Sequence, residues 1–375
     1  MENELEADLK ALENPDQVLD ALRNLRKNVT QPQKDFPIKK FLVKIIPLLK
    51  HENELTRRLS WQALHNLCAA NSHYIQETME ELSMPFIVER LTSEVSKTSN
   101  VIFALILLNY KNCESTVEVS LDLLKITTTK VSENNCDFAV LLLKHILINI
   151  NVENHMDNLD SSQRVTIFDL VQNIQENDEL NEHLLNLVVK EFKKKSGNLL
   201  MTFNKNEVDP VESSKLLEIL SKSSSNEVLQ KVLQKDMSLL IDVLYVLRMM
   251  HDAGKSGEVP NLKPVSSMEI IDAKIDTESP AYGFKCNLIR LIGNLSHKHK
   301  ENQDQVRDCS GIELLLDCSP LDAKNPMITQ WVIFAIHNLC ENNLDNQKVI
   351  ASIDKKGHMD KDKLRELGID VFDEK

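Results

Sequence analysis

Two sixteen-residue segments near the C-terminus repeat each other at a fixed distance, and that distance restricts the fold more than any other feature. LIGNLSHKHKENQDQV occupies residues 291–306 and AIHNLCENNLDNQKVI occupies 335–350. Asn294 aligns with Asn338, Leu295 with Leu339, Asn302 with Asn346, Gln303 with Gln347 and Val306 with Ile350, each pair 44 residues apart. Fainter copies of the first half stand upstream: WQALHNLCAAN around Asn66, FALILLNYKN around Asn109 and LLLKHILINI around Asn149, at spacings of 43 and 40. A helical period of 40 to 44 residues fits armadillo or HEAT repeats. The asparagine-bearing helix is apolar nearly all round, as expected for one sandwiched between its own repeat and the next.

Composition agrees. The 375 residues include only 8 Gly and 11 Pro, about 5% together against a usual share of roughly 12%. Sheet turns and phosphate-binding loops need glycine, so the expected fold class is all-α, an armadillo/HEAT-like right-handed helical solenoid. A net charge of −13 argues against a nucleic-acid or membrane-surface binder. The longest uninterrupted apolar run, residues 101–108, is too short to span a bilayer. The opening MENELEADLK is acidic where a secretory signal is basic and then apolar. Seven cysteines without a CxxC pair read as reduced thiols. The expected location is therefore cytoplasmic or nuclear.

Three regions follow from the pattern. Residues 1–250 read as helical repeats whose middle part, 157–250, is degenerate, with apolar i, i+3, i+4 spacing in 163–174, 180–192, 213–219 and 228–250. The run Lys193-Lys194-Lys195 reads as a solvated helix face. Residues 251–280 lack a helical period and read as a flexible inserted loop, dispensable for folding because loop length affects closure entropy only slowly. Residues 281–375 hold the two clearest repeats, then a short helix and a cap built from Ile369, Val371 and Phe372. Within this region Gly311-Ile312 reads as the sharp turn before the next helix. Asn325 reads as the N-cap, with Pro326 at the first position, of the helix carrying Trp331.

Candidate chemistry is sparse. Gly254-Lys255-Ser256 resembles the end of a phosphate loop, but Met249 stands where that loop needs its first glycine. His65/Cys68 and His337/Cys340 have an i, i+3 ligand spacing, yet no second pair accompanies either, so packing explains them better than zinc. No GxSxG elbow or other nucleophile context appears, and neither catalysis nor a cofactor is expected.

The remaining candidates are the repeat positions. An asparagine in an apolar helix must satisfy its amide or cost about 1–3 kcal/mol. Asn66, Asn109, Asn149, Asn294 and Asn338 therefore either bond a neighbouring helix or line a groove and hold a partner. Arg290 and Phe334 precede Asn294 and Asn338 by one helical turn and join them as groove candidates. The Trp/Asn ladder of an importin-α-type transport adaptor is absent: Trp61 precedes Asn66 by five and Trp331 precedes Asn338 by seven. That absence favours the internal role and makes the adaptor reading the weaker alternative to a scaffold.

A resemblance covers the C-terminal quarter. GFKCNLIRLIGNL (283–295), KENQDQV (300–306), GIELLLDC (311–318), the Asn-Pro at 325–326, TQWVIFAIHNLCENNLDNQKVI (329–350) and the closing LGIDV (367–371) closely resemble the C-terminal region of the ataxin-10 family. LLIDVLYVLRMMHDAGK (239–255) is similar to the segment ahead of that family's variable loop. The N-terminal half matches in the order and length of its helices and is shorter than in the longer members. The resemblance implies a non-enzymatic protein-binding scaffold linked to neuron survival and neurite outgrowth, cytokinesis and centrosome- or cilium-associated processes. It implies the O-linked N-acetylglucosamine transferase and a G-protein β subunit as partners, with self-association a further case. It also implies a cytoplasmic, perinuclear, centrosomal or midbody location.

Overall fold

The computed structural model describes residues 2–30, 36–112, 118–133, 136–196, 210–257, 262–265 and 276–355. Among these residues the regular elements are all helical, so the fold is all-α. The helices form two compact units, residues 1–167 and 168–375.

The first unit holds α1 (Glu2–Ala11), α2 (Val18–Asn28), α3 (Ile38–Ile45), α4 (Glu54–Ala70), α5 (His73–Leu82), α6 (Met84–Ser93), α7 (Ser96–Asn112), α8 (Leu121–Ser132), α9 (Asp137–Asn149) and α10 (Glu153–Met156). Helix α11 (Ser161–Glu176) contains the boundary between the units. Pro47 lacks the N–H that would prolong α3, and the chain tightens into a 3₁₀ turn over Ile46–Lys50. Helices α2, α4, α7 and α9 pack on one another in chain order. Their shared core includes Leu22, Leu25, Leu64, Phe103, Ile106, Leu143 and Ile146, all fully or nearly fully buried. This succession accounts for the spacing of about 40 residues, since each step to the next stacked helix needs one set of outer helices.

The second unit holds α12 (Glu182–Ser196), α13 (Pro210–Ser223), α14 (Glu227–Gln234), α15 (Met237–Ser256), α16 (Phe284–Ser296), α17 (Lys300–Asp308), α18 (Gly311–Asp317), α19 (Ile328–Cys340) and α20 (Leu344–Lys355). Helix α16 approaches α19 closely at Gly293. A side chain at Gly293 would stand 3.0 Å from the Ala335 Cα and from the Phe334 ring. The apolar pattern at 228–250 is divided between α14 and α15, because Asp236 caps the second helix by accepting from the Leu239 N–H at 3.1 Å.

Turns in this glycine-poor chain are made by other residues. Ser83, Asp178, Lys298, Ser310, Met327 and Asn342 all take left-handed φ between 51° and 62°, at a cost of roughly 1–2 kcal/mol each. Ser310, not Gly311, makes the sharp turn before α18. Gly311 is the first helical residue, and a Cβ there would lie 2.6 Å from Val306 Cγ1. Met327 likewise opens α19, while the Asn325 side chain accepts from the N–H groups of Lys285 and Cys286 at 3.0 and 3.4 Å. Asn325 thus caps α16, in the preceding repeat, rather than its own helix.

The lysine run on α12 is also not merely solvated. Lys193 reaches Asp236 at 3.0 Å, Lys194 reaches Glu191 at 2.9 Å and Lys195 reaches the buried Glu212 at 2.7 Å. In the first unit Arg57 pairs with the buried Glu94 at 2.7 Å and donates to the carbonyls of His51 and Glu52.

The inserted loop starts later than the sequence pattern implies. Helix α15 continues to Ser256 and ends on Gly257 in the left-handed conformation at φ 75°. Leu262 is buried, the Val265 N–H donates to Asp322 at 3.0 Å, and the Val265 carbonyl accepts from Ala323 at 2.9 Å. The remainder of the loop and the expected cap at Ile369, Val371 and Phe372 lie outside the described residues. Two expectations follow. Gly254→Ala would bring a Cβ to 2.6 Å from the Leu262 carbonyl oxygen. It should lower stability by about 1–2 kcal/mol despite alanine's better helix propensity. Replacing residues 258–275 with a Gly/Ser linker should remove about 2 kcal/mol of Leu262 burial and lower the melting temperature by about 4–8 °C. Thermal unfolding followed by circular dichroism measures both, and an unchanged midpoint refutes the anchoring.

Candidate protein-binding surfaces

The repeat asparagines separate into two kinds. Asn338 on α19 is buried and its amide donates to the Gly293 carbonyl of α16 at 3.0 Å. Asn294 on α16 donates to the hydroxyls of Ser224 and Ser225 at 2.8 and 3.2 Å. Asn66 on α4 donates to the Arg26 carbonyl of α2 at 2.8 Å. Each of these ties its helix to the one stacked before it. Asn109 is half-buried on α7. Asn149 is exposed and donates to the His145 carbonyl in its own helix at 2.9 Å, so it makes no comparable cross-helix tie through that bond. It sits at the last position of α9, where side-chain amides bond their own last turn readily.

The second recurring element of the repeat works the same way. Asn302 donates to the Leu295 carbonyl at 2.9 Å and to the Gln234 carbonyl at 3.2 Å. Asn346, 44 residues on, donates to Leu339 at 2.7 Å and to Gln303 at 3.2 Å. Gln303 donates to the carbonyl of Asn338 at 2.9 Å. The carbonyls of Gln234, Leu295, Asn338 and Leu339 lie in last turns, where no partner stands within the helix, whereas Gln303 lies in the middle of α17.

Arg290 and Phe334 meet on Trp331. The Arg290 guanidinium lies 5.0 Å from the Trp331 ring centre and donates to the Ser225 hydroxyl at 2.7 Å. Trp331 and Phe334 meet edge to face at 5.8 Å. The tryptophan therefore holds a cation as a ladder position would, but the cation is the chain's own. Trp61 is fully buried and stacks on Phe86 at 6.3 Å, so it lines no groove.

A buried polar cluster was not legible in the sequence. His251 Nδ1 stands 3.4 Å from Cys318 Sγ, and Lys285 is buried nearby beneath Gly254. Burial pushes the Cys318 thiol up to about 12 and pulls His251 and Lys285 down, so all three are held toward their neutral forms. A thiol so placed is a poor nucleophile. Burial also raises Cys68 to about 11, beside Thr78, while His65 is only half-buried on the same helix. His65 Nδ1 stands 3.4 Å from Asn66 Oδ1, whereas Cys68 Sγ stands 3.6 Å from the Thr78 hydroxyl. Gly254-Lys255-Ser256 is the helical end of α15, where Lys255 pairs with Asp317 at 3.1 Å.

The second feature that sequence reasoning missed is a groove of about 1150 Å³ within the first unit. Helix α2 contributes Arg23, Arg26 and Lys27 to its wall, α4 contributes Arg58, Gln62, His65 and the groove candidate Asn66, and α7 contributes Lys97 and Asn100. Phe138 of α9 is 37% exposed at its margin. The two visible signals are RNLRK at 23–27 and RR at 57–58. Nothing in them says that Arg57 turns inward to Glu94 while Arg58 turns to the groove.

The family model described as "Spinocerebellar ataxia type 10 protein domain" matches residues 284–375, beginning at the first residue of α16. Ataxin-10 of Bos taurus and of Homo sapiens are each 42% identical over 157 residues, which is 42% of this chain and 32% of either relative. Through its C-terminal region the chain is similar to ataxin-10 proteins. An ataxin-10 homolog of Dictyostelium discoideum is 48% identical over 94 residues, covering 25% of this chain and 15% of the relative. The matched segment thus spans about a third of the length of the mammalian ataxin-10 proteins. Among the described residues no helix is long and apolar enough to cross a membrane, and no group of His, Cys, Asp and Glu could hold a metal ion.

The contrast between the asparagines is testable. Asn338→Leu strands the Gly293 carbonyl and should lower stability by about 1–3 kcal/mol, whereas the exposed Asn149→Leu should change it by less than about 0.5 kcal/mol. Urea unfolding of both variants decides this, and equal midpoints refute the internal role.

Proposed function

We propose that the chain is a non-enzymatic, armadillo-type scaffold that binds partner proteins on the exposed faces of its helical stacks. One observation carries this reading: the polar side chains that recur with the repeat are used to tie helices together. Asn66 and Asn338 bond the helix stacked before theirs, Asn294 bonds the turn that follows α13, and Asn302 and Asn346 bond last-turn carbonyls. What remains for function is exposed surface, which suits macromolecular partners. The raised thiols of Cys68, Cys286, Cys318 and Cys340 support the same reading, since none is activated.

Similarity to ataxin-10 proteins over 42% of the chain supports an ataxin-10-type role, and we place in it neuron survival and neurite outgrowth, cytokinesis, and centrosome- or cilium-associated processes. The partners proposed on that basis are the O-linked N-acetylglucosamine transferase and a G-protein β subunit, met in the cytoplasm, near the nucleus, or at the centrosome or midbody. A transport adaptor for basic import signals is disfavoured, because Trp61 is buried and Arg290 already covers Trp331. Purified full-length chain should retain the transferase or the β subunit in pull-downs, and proximity labelling in dividing cells should enrich centrosomal and midbody proteins. Retention of neither partner, together with no such enrichment, overturns the proposal.

A further inference from the structure

We propose that the groove of the first unit holds an extended acidic peptide segment of a partner protein, its acidic residues over α2 and α4 and an apolar residue against Phe138. This rests on the scaffold reading and names the chemistry of one partner.

Charge is the first argument. Arg23, Arg26, Lys27, Arg58, His65 and Lys97 line the groove, and no Asp or Glu does. That exclusion occurs in a chain with 57 acidic and 44 basic residues. Two of the arginines touch carboxylates outside the lining: Arg23 meets Asp20 at 2.7 Å, and Arg58 meets Glu54 at 3.6 Å. Arg26 bonds the neutral Gln62 at 2.8 Å. Lys27 and Lys97 are exposed and form no ion pair with a described residue. Like charges within a Debye length, about 8 Å at physiological salt, raise one another's energy. An anion entering the groove relieves that repulsion, and apolar walls concentrate the field on it.

Shape is the second. The lining residues come from four stacked helices, and three interhelix steps of about 9 Å make roughly 27 Å. An extended peptide covers that distance in about eight residues at 3.3 Å each. The cations cluster on α2 and α4, joined by Lys97 at the first turn of α7, whereas Val101, Ala104 and Phe138 make the rest of the α7–α9 end apolar. That gradient calls for acidic residues followed by an apolar one. Gln62 and Asn100 stand between; their oxygens already accept from Arg26 and from the Phe138 N–H, which leaves their amide N–H groups for peptide carbonyls. A nucleic acid fits less well. Its phosphates would continue past the groove toward Asp20 and Glu54, on a chain of net charge −13.

The test is fluorescence anisotropy on the full chain, with a labelled peptide of six glutamates followed by Leu-Phe. Its lysine counterpart and a twenty-nucleotide single-stranded oligothymidine serve as competitors. The acidic peptide should bind, weaken as salt rises, and lose at least tenfold in affinity in Lys27→Gln/Lys97→Glu. Lys231→Gln in the other unit should leave it unchanged. If the double variant loses helicity by circular dichroism, Lys97→Gln alone must still weaken binding at least threefold. Equal binding of the two peptides, tighter binding of the oligonucleotide, unaltered affinity in the variants, or self-association that the variants abolish would each overturn the proposal. Failure here with the protein partners still retained sinks the groove alone; loss of both sinks the scaffold reading as well.

Discussion

The constraint on which the structure depends is the satisfaction of backbone carbonyls at helix ends that are packed among other helices. A surface helix leaves its last carbonyls to water, but α16 and α19 end among other helices. A glycine in the left-handed conformation is the usual remedy, and this chain has 8 glycines in 375 residues. The remedy here is the side-chain amide. Asn302 reaches back seven residues to Leu295, and Asn346 reaches back seven to Leu339, while each also holds a carbonyl of a neighbouring helix. One amide therefore closes a helix and fixes the next in place, which is why the same residue returns after 44 positions.

That mechanism explains what could be read in the sequence. Asparagine and glutamine inside apolar periodicity are costly unless bonded, so their recurrence marks stacked helices even at low similarity. The all-α class, the repeat spacing and the helical middle region follow from pattern alone. Turn chemistry does not. Glycine was expected at the α17–α18 turn because it tolerates positive φ, but Ser310 takes that conformation, since Gly311 is required where Val306 leaves no room for a Cβ. Asn325 precedes proline in the pattern of an N-cap, yet it caps a helix 40 residues earlier. Long-range caps have no local signature. The loop was legible as irregular but not as anchored, because a single buried Leu262 and two backbone bonds carry no periodicity.

The candidate sites divide along the same line. Arg290, Asn294, Phe334 and Asn338 were found because they recur or stand one turn from residues that recur. The structure uses them between helices: Arg290 on Trp331, Asn294 on Ser224, Asn338 on Gly293. The groove cations have no repeat signature, and only the stacking of helices that begin 36 to 42 residues apart brings them together. Recurrence reports the needs of the stack; departure from recurrence is where a repeat protein can differ from its neighbours along the chain.

Arg57 and Arg58 show how finely that division runs. They are adjacent on α4, separated by about 100° around the helix axis. Arg57 is drawn inward, where Glu94 is 1% exposed and would be an unpaired buried charge without it. Arg58 faces the groove, against the partly exposed Glu54 at 3.6 Å. Removing a partner from a buried pair costs several kcal/mol, whereas an exposed pair contributes less than about 1 kcal/mol. The first arginine is therefore held by stability and the second is free to be held by binding. A chain that keeps its inward charges paired and its groove charges in excess retains a positive field at one place on an acidic surface, and that field survives changes in the outer residues that leave the buried pairs intact.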